Sequence, residues 1–297
     1  MEETVTNNAN LSEVIINTIN SLLGSLFSSI DNSVYDTLDS LAFLDTSILN
    51  DSFFERTFGQ GSNNGLLFIA NSLLTAVCIY YCFKLIYSHF TGIQIERPYQ
   101  FVFKLLIFGI FINCSFFICE LFIYFTSLIS DAIRGIGSNL LGEEICFSNL
   151  IENLNSVVTT DANSLNVFSF DGLLKSLMSI GFISLLFTYS LRFIMVKVLL
   201  LLTPFALLTL INNSTAWFFK AWLKIFLSLL FIQPFISIIL LIVFALDFNS
   251  PEVTSKILCV GAMYALMRAN TYVTSFVGGI STNVSSNLSF LRGRGKI

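Results

Sequence analysis

Histidine is nearly missing from this chain: His89 is the only one in 297 residues. A single imidazole excludes histidine metal clusters and the histidine dyads of nucleophilic catalysis. No Gly-rich nucleotide loop and no GxSxG elbow is present either, so the chain reads as no enzyme, with no cofactor and no metal. Charge is equally scarce. Only 11% of residues are Asp, Glu, Lys or Arg, where a soluble domain is nearer about a quarter. The six cysteines give no disulfide framework. Cys78 and Cys82, like Cys114 and Cys119, sit in apolar runs where cysteine acts as a small hydrophobe, and Cys146 has no obvious local partner. A basic leader region is also lacking, which argues against a cleaved signal peptide.

What fills the chain is apolar. It is 55% hydrophobic with 32 phenylalanines, and several runs exceed the ~18 residues that cross a bilayer core. The runs are continuous, unlike the alternating ~10-residue strands of a barrel. The expectation is an all-α polytopic membrane protein.

Residues 192–243 look like the organising stretch. Arg192 and Lys197 open it, followed by an apolar run, 198–211, with Pro204 inside. A polar break at 212–215 precedes Trp217, Lys220, Trp222 and Lys224, and a second apolar run contains Gln233-Pro234. Both tryptophans stand a few residues before a lysine, the pattern of an interfacial belt.

Residues 1–64 form an acidic segment, whose only cation is Arg56. Leu11, Ile15, Ile19, Leu22, Leu26 and Ile30 recur at three- and four-residue steps, giving an amphipathic helix that lies on the membrane or packs on protein. A second short helix is read over 39–54, and 59–64 is a flexible break. The remainder, 65–297, is the transmembrane domain. About five spans are expected there, over 66–87, 101–129, 173–191, 225–246 and 257–277, with a loop over 131–171.

Lysine and arginine mark the cytoplasmic side. Cation-rich regions (84–104, 192–224 and the tail) alternate with acidic ones (the N-terminus, 131–171 and 247–252) if the N-terminus is outside and the C-terminus cytoplasmic. That scheme sends 198–211 back to the side it came from. Fourteen residues at ~1.5 Å each cover roughly 21 Å, short of the ~30 Å core. The segment is therefore read as re-entrant or broken at Pro204, buried in protein. The competing reading makes 193–211 a full kinked span.

Glu120 and Arg268 are ionisable residues inside spans, where a charge costs ~3 kcal/mol, so they face protein or an aqueous path. Gln233-Pro234 and Asn270-Thr271 are polar packing signals. The tail RGRGKI carries three cations that suit anionic head groups.

These features resemble the polytopic inner-membrane component of type IV secretion systems, the TrbL / VirB-six-like family. The resemblance covers about residues 173–288 and rests on Arg192 closing a long span, the Thr203-Pro204-Phe205-Ala206 run and Trp217. It then takes in a lysine at a helix start (Lys220 or Lys224) and Gln233 in the next span. Val196-Lys197 stands where many relatives carry an acid after the arginine. The resemblance implies a channel or scaffold subunit in the cytoplasmic membrane that helps pass single-stranded DNA with its relaxase, or protein effectors. It also implies homo-oligomers, a VirB-eight-like bitopic partner, secretion and coupling ATPases, and transient contact with transferred ssDNA. Heavy use of Asn, Ile, Phe and Ser suits a bacterial mobile element. The alternative is a stand-alone secondary transporter or channel for a small solute, which predicts a broken helix in each half. Candidate channel or packing positions are Glu120, Arg192, Lys197, Pro204, Trp217, Lys220, Gln233 and Arg268.

Overall fold

The computed structural model describes residues 18, 32–59, 65–92, 97–150, 153, 170–246 and 253–277. The amphipathic helix expected over 11–30 and the basic tail lie outside the described residues, as does most of 151–169. Among the described residues every regular element is helical. In chain order they are α1 (Asn32–Ala42), a 3-10 turn (Thr46–Leu49), α2 (Ser52–Phe58) and α3 (Leu66–Thr91). Then come α4 (Pro98–Asn113), α5 (Ser115–Leu141) and α6 (Phe170–Leu208), the last extended by a 3-10 turn (Thr209–Ile211). α7 (Ala216–Phe244) and α8 (Val253–Val277) complete the set. Among the described residues four helical stretches are long and apolar enough to cross a membrane: Leu66–Thr91, Ser115–Leu141, Ile180–Ile211 and Ala216–Phe244. The protein is an all-α polytopic membrane protein. α8 holds the last expected span and packs along α7 and α6.

Two features of the span scheme are corrected. The expected span 101–129 is two helices, because the chain breaks at Cys114. Asn113 ends α4 by exchanging side-chain hydrogen bonds with Asn71 of α3 at 3.1 and 3.3 Å. α5 then runs on to Leu141, so the loop expected over 131–171 opens as helix.

The second correction concerns 198–211, which is neither re-entrant nor a separate span. It continues the same helix that begins at Phe170, straight through Pro204. Thirty-nine residues at ~1.5 Å each make roughly 58 Å of helix, enough to cross the core and project beyond it. Along the sequence Arg192 and Lys197 look like a membrane boundary, but inside α6 both bond the N-terminal segment, so they end nothing. The two cations therefore mark no surface, and the chain needs no excursion to keep its charge alternation.

Irregular backbone at depth occurs elsewhere, in the N-terminal segment. Leu38, Ala42, Leu44, Ile48, Leu49, Phe54 and Phe58 are buried in the same core as α5, α6, α7 and α8. Residue 64 is therefore no packing boundary. Local signals build this segment. Asp45 accepts from Ser47 N–H to start the 3-10 turn, and Asp51 accepts from Phe53 N–H to start α2, as N-caps do. Gly59 ends α2 with φ +84°, a conformation that costs other residues a Cβ clash. Gly65 then passes so close that a Cβ there would sit 2.4 Å from Gly59 Cα.

Cross-helix contacts fix directions. Phe122 meets Phe226, Ser130 bonds Ser237 and Gly137 faces Leu241, so α5 and α7 run parallel. Trp222 lies against Leu199 and Leu229 against Arg192, so α6 is antiparallel to α7. The turn 212–215 thus lies at one end of the bundle and the loop 142–150 at the other. The N-terminal segment enters from the loop end, where Asp39 accepts from the amides of Phe147 and Ser148 at 2.9 and 3.3 Å. It descends to Phe116 at the start of α5, which packs on Phe54 and Phe58.

Candidate functional site: a polar clamp inside the bundle

Arg192 lies near the middle of α6 and is entirely buried. Among the described residues no carboxylate meets it. Its Nε donates to the Leu229 carbonyl of α7 at 2.8 Å, and its Nη1 donates to the Ala42 carbonyl at 2.7 Å. Ala42 closes α1, so its oxygen belongs to the orphaned, partly negative end of a helix, a natural seat for a cation. Main-chain oxygens thus stabilise the charge. Among the described residues Nη2 has no hydrogen-bond partner, nor does the fully buried hydroxyl of Tyr189 one turn earlier.

Gln233, near the middle of α7 and 1% exposed, completes the clamp. Its Oε1 accepts from the Leu44 N–H at 3.2 Å. Arg192 and Gln233 thus hold the two sides of one short stretch of backbone, a carbonyl at 42 and an amide at 44. The stretch leaves α1 there, so neither group has a helical partner, and an unmet buried polar group costs about 1–3 kcal/mol. Below the clamp, Lys197 Nζ bonds Asp51 Oδ2 at 2.8 Å and stands over the Phe193 ring at 5.0 Å.

At the loop end, Arg134 covers the Phe43 ring at 4.4 Å and donates from Nε to the Ile145 carbonyl at 2.8 Å. Phe43, Phe147 and Tyr189 form a chain of ring contacts. Burial pushes the Asp39 carboxyl above its ordinary value, against the pull of the Phe147 and Ser148 amides. Burial also raises the Cys146 thiol, so it is a poor nucleophile.

Of the positions singled out from sequence, Arg192, Lys197 and Gln233 converge on the N-terminal segment. Pro204 is buried within an unbroken helix. Trp217 and Lys220 are exposed at the start of α7, in keeping with an interfacial position. Trp222 is not interfacial: it is 4% exposed, donates from Nε1 to the Leu199 carbonyl at 3.0 Å and stacks on Phe226. Glu120 is half-buried on α5. Arg268 packs over Tyr264 and donates to its hydroxyl at 3.1 Å, and no ion pair joins it to Glu120 among the described residues.

Sequence reasoning did not single out the atoms that the clamp grips. Ala42 and Leu44 contribute backbone, which leaves no side-chain signature. Asp51 was legible only as one of many acids. The described residues hold no group of three or more metal-ligating side chains. No protein-family model, curated protein or solved structure matches the chain.

Proposed function

We propose that the protein is a scaffold or channel subunit of a type IV secretion (conjugative DNA transfer) apparatus in the cytoplasmic membrane, with its N-terminus outside and its C-terminus cytoplasmic. The carrying observation is that the middle of the bundle is filled. Side chains of the N-terminal segment, gripped by Arg192 and Gln233, take the place where a solute carrier keeps its midplane site. A substrate as large as a nucleoprotein then passes through an assembly of several copies and partners rather than through this closed chain. Helices α3 and α4 suit such assembly. Ala70 and Tyr81 are the buried residues of α3, while Phe68, Leu73, Ile79, Phe83, Val102 and Leu106 are open to lipid or to neighbours.

In this reading copies pack through α3 and α4. Partners are a VirB-eight-like bitopic protein and the secretion and coupling ATPases, which supply the energy that a chain without a nucleotide loop does not. The test is an in-frame deletion in the parent element, restored in trans. The expected result is loss of transfer with normal relaxase nicking, rescued by the intact gene. Unchanged transfer overturns the proposal, and solute flux in reconstituted vesicles then becomes the measurement to make.

A further inference from the structure

The clamp holds its occupant in an unusual way. Most buried contacts of the N-terminal segment are apolar, yet its fixed points are polar: Gln233 accepts from one amide of the segment, and both cations draw on its oxygens. The bundle supplies cations and donors (Arg192, Lys197), and the segment supplies oxygens: the Ala42 carbonyl and the Asp51 carboxylate. The segment itself is acidic, with Asp39, Asp45, Asp51 and Glu55. Two further donors in the same place, Arg192 Nη2 and the Tyr189 hydroxyl, are wholly buried and unmatched. The segment therefore fills the seat without using all of its donors.

We propose that residues 38–58 are a releasable plug in a cation-lined vestibule, and that the vacated vestibule takes an anionic ligand of the phosphate class. With the plug out, Tyr189, Arg192, Lys197 and Gln233 line a path from the loop end of the bundle to the level of Lys197. The ammonium then has no oxygen and the guanidinium keeps only the Leu229 carbonyl, and a buried charge short of partners is costly. A phosphate-class anion replaces the lost carbonyl and carboxylate, and its several acceptor oxygens also match the two idle donors. The caps that shape the plug, Asp45 and Asp51, belong to the plug itself, so its local turns do not depend on caps from the transmembrane helices.

The experiment uses full-length protein, with its native cysteines replaced, reconstituted in liposomes. Leu44→Cys is a single reporter whose backbone amide still bonds Gln233. A membrane-impermeant maleimide reads its exposure, and a second reporter, Leu240→Cys, reads the core. Gln233→Met removes the acceptor and is expected to speed Leu44→Cys labelling about tenfold or more, because the amide is left unmet. Gln233→Glu keeps an acceptor oxygen on the same length of stem and stays slow. Millimolar pyrophosphate at fixed ionic strength is expected to speed labelling several-fold in the parent, whereas chloride does not.

A Gln233→Met rate equal to the parent's, with Leu240→Cys protected, overturns the plug. If Leu240→Cys is also labelled, the variant has not folded, and the pyrophosphate result on the Leu44→Cys protein with Gln233 intact decides. Pyrophosphate without effect on the parent overturns the anion site. No secretion machinery is present in the liposomes, so these outcomes are separate from the transfer experiment.

Discussion

Replacing Arg192 with methionine tests what a fully buried cation contributes to this bundle. Methionine keeps most of the buried stem and removes the guanidinium. Two charge-assisted hydrogen bonds vanish, to the carbonyls of Leu229 and Ala42. At ~1.5–3 kcal/mol each the loss is ~3–6 kcal/mol. One effect opposes it. Nη2 is buried without a partner, and relieving an unmatched donor returns ~1–3 kcal/mol. At the middle of both ranges the lost bonds win, leaving a net destabilisation of ~2.5 kcal/mol, or roughly 60-fold in the folding equilibrium.

The assay is detergent titration in mixed micelles, read by tryptophan fluorescence in a Trp217→Phe background. Trp222 then reports alone, and it is bonded to Leu199, on the same helix as Arg192. Arg192→Lys, whose ammonium reaches one of the two carbonyls, falls between parent and Arg192→Met. A methionine variant as stable as the parent, or more stable, would refute the reasoning. It would mean that the desolvation cost of the guanidinium outweighs the bonds that it makes.

Three further outcomes follow from particular contacts. Asp39 has its carboxyl raised by burial, so the folded state takes up a proton at higher pH than the unfolded chain does. The ionised form costs stability above the folded pKa, and that cost is relieved as pH falls toward the ordinary carboxylate value. The stability of the parent relative to Asp39→Asn should therefore rise between pH 7 and pH 4, and a flat difference in the same titration would contradict it. Gly65→Ala places a Cβ 2.4 Å from Gly59 Cα and 2.9 Å from the Phe58 carbonyl oxygen, both backbone atoms. A loss of at least ~1–3 kcal/mol is expected, whereas Gly135→Ala, with nothing within 4 Å, should gain up to ~1 kcal/mol of helix propensity. Gly137→Ala meets the flexible tips of Ile145 and Leu241, so its cost should be smaller than that of Gly65→Ala in the same unfolding assay.

Class and coarse architecture were legible from composition, because long apolar runs without charges have no stable place in water. The break after Gly59 was legible from its composition, whereas the caps at Asp45 and Asp51 divide the single helix expected over 39–54. Arg192, Lys197 and Gln233 also stood out, since polar groups in apolar runs need a partner. What each was for was not legible. Read along the chain, Arg192 and Lys197 looked like the membrane boundary, and Pro204 looked like a break. Both impressions came from treating each segment alone.

Only the tertiary structure decided which backbone fills the bundle, because a carbonyl at Ala42 and an amide at Leu44 exist in every sequence and advertise nothing. Once those groups meet Arg192 and Gln233, the cation no longer needs water or a surface, so α6 runs on through the core. Sequence determined that the chain is helical and apolar, and which few polar side chains must find partners. Packing determined the partners, since a main-chain oxygen brought from 150 residues away carries no mark in the local pattern.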